Sequence, residues 1–231
     1  LGLQSVQGLE IGGVTFRRGG HFTFLLTNVG DAYFHDFEIA AARDGIDLMG
    51  MRHVLAERIH VHGGGDDAFK FGSDWSLGRQ LDSYNITLRD SRLASGQDGK
   101  SGVGCQCIQF GSETSGNFRD MLFSNVTCTS AGKSGIGVTS MDGANISDIV
   151  FQDISLSGTT ERKPSANSFC VFFPRHRNCC TLSAIQMYVG ARAWQRRPPP
   201  YKVGSISRMR FHNIAATNVT GKPPSYSGPT K

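Results

Sequence analysis

A short apolar motif recurs along this chain, and a recurring strand needs an architecture that itself repeats. Met121–Val126, Ile149–Ile154 and Met209–Ile214 align residue for residue: apolar, any, Phe, polar, Asn or Asp, then Ile or Val. Related alternating runs stand at Phe34–Ile39, Val54–Val61 and Tyr84–Asp90. Between them lie glycine-rich runs: Gly45–Leu48, Ala68–Phe71, Cys107–Phe110 and Gly135–Val138. All alternate with period two, the signature of half-buried strands, and turn residues bound them. Helical spacing is rare.

Two strand types that alternate every ~20 to 35 residues describe a solenoid. Each coil gives one strand to each of two or three parallel sheets. Alternate side chains then enter a narrow apolar core, and Gly and Asn make the corners. The expectation is an all-β parallel β-helix over residues 1–231 as one domain. Ile46, Leu48, Phe69, Phe71, Ile108, Phe110, Ile136 and Val138 are its expected inward positions. An antiparallel β-sandwich also has many short strands; the repeating motif favours the solenoid. Residues 157–205 break the pattern. They hold Pro164, Pro174, Pro198–Pro200 and three cysteines, and read as an irregular insertion.

Composition closes off other classes. The 29 glycines among 231 residues are nearly twice the usual ~7%, but no G-x-y period exists, so collagen is excluded. Charged residues at 19% and hydrophobic ones at 39% exclude a disordered polymer. No apolar run approaches the ~20 residues of a membrane helix. The net charge of +5 suits an acidic partner such as a polyuronate or nucleic acid, but its Lys and Arg are scattered and mark out no nucleic-acid surface. The basic cluster at Arg192–Lys202 is interrupted by Pro198–Pro200 and reads as a solvated loop. None of the six cysteines has C-x-x-C spacing, which disfavours a zinc ribbon. Sequons at Asn85, Asn125, Asn145 and Asn218 lean toward an extracellular or cell-wall glycoprotein, where disulfides are permitted. Leu1 reads as the start of a mature or trimmed piece.

The candidate chemistry is a trio of carboxylates. Asp66-Asp67 follows Gly63–Gly65 and opens one glycine-rich strand; Asp44 opens the matching strand one coil earlier. Equivalent positions in a solenoid stack about 4.8 Å apart. The three would cluster on one outer face, and mutual repulsion would raise at least one pKa. A proton donor beside a base that activates water is what glycoside hydrolysis requires. A turn role is the plainer reading of any lone Asp beside Gly.

At Asp44-Gly-Ile-Asp47, Gly65-Asp-Asp-Ala68, Gly111–Gly116 and Asn125-Val126 the order of motifs resembles glycoside hydrolase family 28, the polygalacturonases and rhamnogalacturonases. The resemblance covers residues 34–156 well and 203–221 loosely. It implies a right-handed, pectin-lyase-like parallel β-helix. It also implies metal-free, cofactor-free inverting hydrolysis of a pectic or related cell-wall polysaccharide. Asp66 would be the general acid, and Asp44 with Asp67 would hold the water. The chain departs from the family pattern at several points. Ala42-Arg43 replaces Asn-Thr, Gln106 stands where a His is usual, and Gly137 and Thr139 replace an Arg and a Lys that grip a substrate carboxylate.

Lys70, Gln106, Glu113, Trp75 and Lys133 are the expected substrate contacts: Lys70 and Lys133 as replacement cations, beside Arg43, Glu113 orienting a cation or a hydroxyl, and Trp75 stacking on a sugar. The segment 73–104 is expected to add a coil or cleft wall. His60-Val-His62 puts two imidazoles on one strand face, but in the coil picture that strand lies on a different sheet from Asp66, so no metal is expected there. The alternative function is an eroded β-helix that binds carbohydrate as a wall scaffold. The surviving trio favours the enzyme, because a scaffold has no use for repelling carboxylates. The expected partner is a polysaccharide. The chain would be a monomer, or would associate through an uncapped coil end near Gly2–Val14.

Overall fold

The computed structural model describes residues 1–96, 104–158, 183–191 and 202–219. Sheet A contains β1 (Gly2–Gln4), β4 (Phe22–Thr27), β6 (Asp44–Met49), β8 (Phe69–Ser73), β10 (Gln106–Thr114), β12 (Ser134–Ser140) and β14 (Ser183–Val189), in that order. Sheet B contains β2 (Gln7–Gly12), β5 (Gly30–Ala40), β7 (Arg52–His62), β9 (Ser83–Leu93), β11 (Phe118–Cys128), β13 (Asn145–Ser157) and β15 (Ser205–Thr217), while β3 (Thr15–Arg17) also pairs with β5. The chain visits the sheets alternately, and among the described residues every pairing is parallel. That is a parallel β-helix, and the antiparallel sandwich is excluded.

Sheet A obeys simple alternation. Its register stacks Phe24, Ile46, Phe69, Ile108, Ile136 and Ile185 in one column. A second column runs Leu26, Leu48, Phe71, Phe110 and Val138. All eight positions expected to point inward are at most 1% exposed.

Sheet B does not alternate simply. In β11 the buried residues are Phe118, Met121, Phe123, Val126 and Cys128, with steps of three and two. The extra residue in each step of three is in the left-handed conformation. Asp36, Arg58, Asp90, Asn125, Asp153 and Asn213, with φ between 50° and 54°, form one column up the sheet. Asp31, His53, Asn85, Asp120, Asp148 and Arg208 form another. Each such residue costs about 1–2 kcal/mol in an L-amino acid, and Asn and Asp tolerate it best. Side-chain bonds between coils offset the cost: Asn125 Nδ2 donates to Asp90 at 2.7 Å, and Asn213 Nδ2 to Asp153 at 2.7 Å. The Asn/Asp of the repeating motif is therefore the bulge residue that bends each sheet B strand around the core.

Within the 157–205 stretch, Ser183–Val189 is a strand paired with β12; residues 159–182 and 192–201 lie outside the described residues, as do Cys170, Cys179 and Cys180. Cys107 and Cys128 form a disulfide, while Cys105 is a buried free thiol. At the first coil, Leu3, Val6, Leu9, Ile11 and Phe16 pack against the core and remain partly buried. The segment 73–104 supplies β9; its residues 97–103 are outside the described set.

Candidate active site

The carboxylate trio forms where each coil turns from sheet B into sheet A. Asp44 begins β6, and the register that pairs Ile46 with Phe69 brings Asp67 beside it. Glycine makes this approach possible. Gly45 N donates to Asp67 O at 2.9 Å, and a Cβ at Gly45 would meet Ala68 O at 2.4 Å. Any side chain there would push the coils, and the two carboxylates, apart.

Asp66 is the accessible member. Its side chain is 24% exposed, against 3% for Asp44. Arg43 Nη2 donates to Asp66 Oδ2 at 2.7 Å, and Arg43 Nη1 lies 3.8 Å from Asp44 Oδ2. Gln106 N donates to Asp67 Oδ1 at 2.9 Å, so Gln106 serves Asp67 through its backbone while its side chain is buried. Asp66, Asp67 and the Cys105 thiol bring ligating atoms within 4.8 Å of one another.

These environments split the trio. Burial, then the Asp47 and Asp66 carboxylates, push Asp44 up to about 7. Burial and the Asp66 charge push Asp67 up to about 7. Burial acts on Asp66 in the same direction, but the Cys105 thiol, Lys133 and Arg43 outweigh it and hold Asp66 below the usual carboxylate range. Burial lifts the Cys105 thiol well above its ordinary value, which makes it a poor nucleophile. The free site therefore pairs an ionised, partly accessible Asp66 with buried carboxyls that hold protons near neutrality.

A second cluster lies further along the outer face. Lys70 Nζ sits 3.1 Å from Asp47 Oδ2 and 3.2 Å from Glu113 Oε2. Burial opposes the lysine charge, but Asp47 and Glu113 raise its pKa. Burial pushes Asp47 up to about 7 despite Lys70. Gln109 and Gly137 follow Lys70 in the same row. Gln109 Nε2 donates to Thr139 Oγ1 at 3.2 Å, and a Cβ at Gly137 would meet Gln109 Oε1 at 2.0 Å. An amide thus covers the place where an arginine is usual in family 28.

The structure brings Lys70, Lys133, Gln106 and Glu113 to this face. Lys133 acts on Asp66 and Asp67 through its charge, and Glu113 orients Lys70. Trp75 is separated from the trio: it follows β8, at the opposite end of the sheet A strands from Asp66 and Asp67. An open depression lined by Arg52, Arg79, Asp82, Tyr84 and Asn117 also lies at that far end. Arg43 lies beside the trio, as its place in the expected cleft implied, while Asp47, Gln109 and Cys105 are site residues that sequence reasoning did not single out. Alternation between the inward Ile46 and Leu48 already places Asp47 in the outward row with Lys70, while Cys105 gave no signal beyond its proximity to Gln106. His60 and His62 lie on β7, in sheet B, apart from Asp66.

The raised carboxyls have a consequence for stability. Asp44, Asp47 and Asp67 titrate near 7 when folded and near 3.8 by their ordinary value. Their contribution is fully present below pH 3.8 and is lost as pH rises through 7. Glu57 and Asp148, held down to about 2 by hydrogen bonds led by Tyr33 and Arg208, lose theirs only in stronger acid. The melting temperature is expected to fall between pH 5 and pH 8, and to fall less in Asp67→Asn. A melting temperature that rises across that window contradicts the buried-carboxyl account.

No protein-family profile matches the sequence. No curated protein matches it either. Solved structures do resemble the fold. The family 28 exopolygalacturonase of Yersinia enterocolitica is 15% identical with a TM-score of 0.61, covering 95% of this chain and 35% of that one. The hyperthermoactive exopolygalacturonase of Thermotoga maritima is 16% identical with a TM-score of 0.59, covering 91% of this chain and 42% of that one. The chain thus spans well under half the length of either enzyme. At this identity the likeness is one of fold: the chain is a right-handed parallel β-helix, distantly like those of family 28.

Proposed function

We propose that this chain is a secreted glycoside hydrolase that cleaves a cell-wall polysaccharide by acid/base hydrolysis at Asp44, Asp66 and Asp67. The observation that carries this reading is the divided electrostatics of the trio. Two buried carboxyls hold protons near pH 7 beside an accessible, ionised one. Pairs of carboxyl groups pushed apart in pKa are how a site supplies acid and base together. Asp66, the most exposed, is placed to meet the leaving oxygen. The resting proton lies on Asp67, so donation by Asp66 requires transfer within the pair when substrate displaces Arg43. Asp44 and the deprotonated Asp67 then orient the attacking water. Fold likeness to the two exopolygalacturonases supports the reaction class.

The cations argue about the substrate. Lys70 is held by Asp47 and Glu113, and Arg43 by Asp66. A uronate carboxylate would have to compete with these partners and enter a field dominated by acids. The preferred chain is therefore neutral or esterified at the cleavage site. Reducing-end release is expected to be at least about tenfold slower on polygalacturonate than on a neutral or methyl-esterified wall glycan. Added salt should narrow the gap by screening repulsion. Equal or faster cleavage of polygalacturonate at low salt would overturn the neutral-sugar assignment. Binding without any release would favour the scaffold reading.

A further inference from the structure

The outer face of sheet B carries a side-chain cluster that plays no part in the reaction above. Glu38 stands on β5, and His60 and His62 stand on β7. The parallel register pairs Glu38 with His60 and Ala40 with His62. Ile59 and Val61 point into the core, so the alternation turns both imidazoles outward on the same face. Their rings lie 4.6 Å apart, tilted by 31°. His62 Nε2 is 2.8 Å from Glu38 Oε1, and one ligating atom from each of the three residues lies within 4.8 Å of the others.

We propose that Glu38, His60 and His62 bind a divalent transition-metal ion, with zinc the expected occupant. Two imidazoles and one carboxylate are a ligand set suited to zinc, nickel or copper. Bonds of about 2.0–2.1 Å in tetrahedral geometry put donor atoms roughly 3.3 Å apart. The Glu38–His62 pair is already that close, so only a side-chain swing of His60 is needed. The backbone is fixed by a parallel, eleven-residue strand on each side of β7, which holds the three Cα positions in register. A fourth position would face solvent and take water. Arg92 stands next to His60 on β9, and the Arg17 charge also acts on Glu38. These cations oppose a bound dication and set the affinity below that of an all-neutral surround. The ion would clip β5 to β7 across the outside of sheet B.

The site is independent of the glycosidase reading: its three residues lie on sheet B strands, whereas Asp66 lies in the turn between β7 and β8. The test is calorimetric titration of chelator-treated full chain with zinc chloride, with melting temperature followed in parallel. One equivalent is expected to bind and to raise the melting temperature. His60→Ala and His62→Ala should each weaken binding by more than the roughly 10–100-fold that loss of an outer-shell partner causes. Arg92→Ala should tighten it. Each variant's metal-free melting temperature shows whether the fold is intact. No zinc binding up to millimolar concentration overturns the proposal. So does binding that survives both histidine replacements and is lost in Asp66→Asn or Cys105→Ser, which would move the ion to the carboxylate cluster.

Discussion

Phe123→Ala is expected to destabilise the fold by about 3–5 kcal/mol, the cost of removing a large aromatic side chain from a packed core. Phe123 is wholly buried. It stacks on Phe151 at 4.7 Å, which stacks in turn on Phe211 at 5.2 Å. Phe71 and Phe110 from sheet A meet it edge-on at 5.6 and 5.9 Å. The residue thus joins three coils of one sheet to the other sheet. Aromatic pairs of this kind add roughly 0.5–1.5 kcal/mol each beyond buried area. Domains are commonly stable by only ~5–15 kcal/mol, so the loss is large. Urea denaturation measures it. Leu122→Ala, one residue away and half-buried on the outer face, is expected to cost about 1 kcal/mol or less. Equal losses at the two positions would contradict the assigned inward face.

Asp66→Asn is expected to lower kcat by about 10²–10⁴-fold, the usual contribution of a positioned general acid or base. The replacement is nearly isosteric, and Asn can still accept a hydrogen bond from Arg43. The melting temperature should therefore change little. KM should change less than kcat, because the role proposed for this carboxyl is at the leaving oxygen rather than on the bound sugar. Asp67→Asn should cost as much in turnover, since it removes the proton that the pair shares. If Asp66→Asn retains more than a tenth of wild-type turnover while Asp67→Asn does not, the donor is Asp67.

The fold was legible because its repeat is written in residue types that the geometry needs. Phe and Ile at fixed offsets mark the inward columns, and the Asn or Asp before the final Ile or Val marks the left-handed bulge. The phase slip that this bulge introduces was not legible. Arg58 and His53 occupy the same columns as Asp and Asn, and neither residue type announces positive φ. The trio was legible through equal spacing along two coils, which turns sequence distance into a stack. Its protonation was not, because that depends on Arg43, Lys133 and Cys105, brought in from three coils. The separation of Trp75 from the trio follows from strand length: its place after β8 puts the whole of that strand between them.

Hydrolysis of a glycan by Asp44, Asp66 and Asp67 would leave one new reducing end for each bond cleaved. It is tested most directly by incubating wild-type protein with neutral, methyl-esterified and uronate wall polysaccharides and measuring new reducing ends. Release is expected, greatest on the neutral or esterified chains and lost in Asp66→Asn and Asp67→Asn together. Absence of new reducing ends from every polysaccharide, in protein shown to be folded by its melting transition, would contradict hydrolysis by these residues.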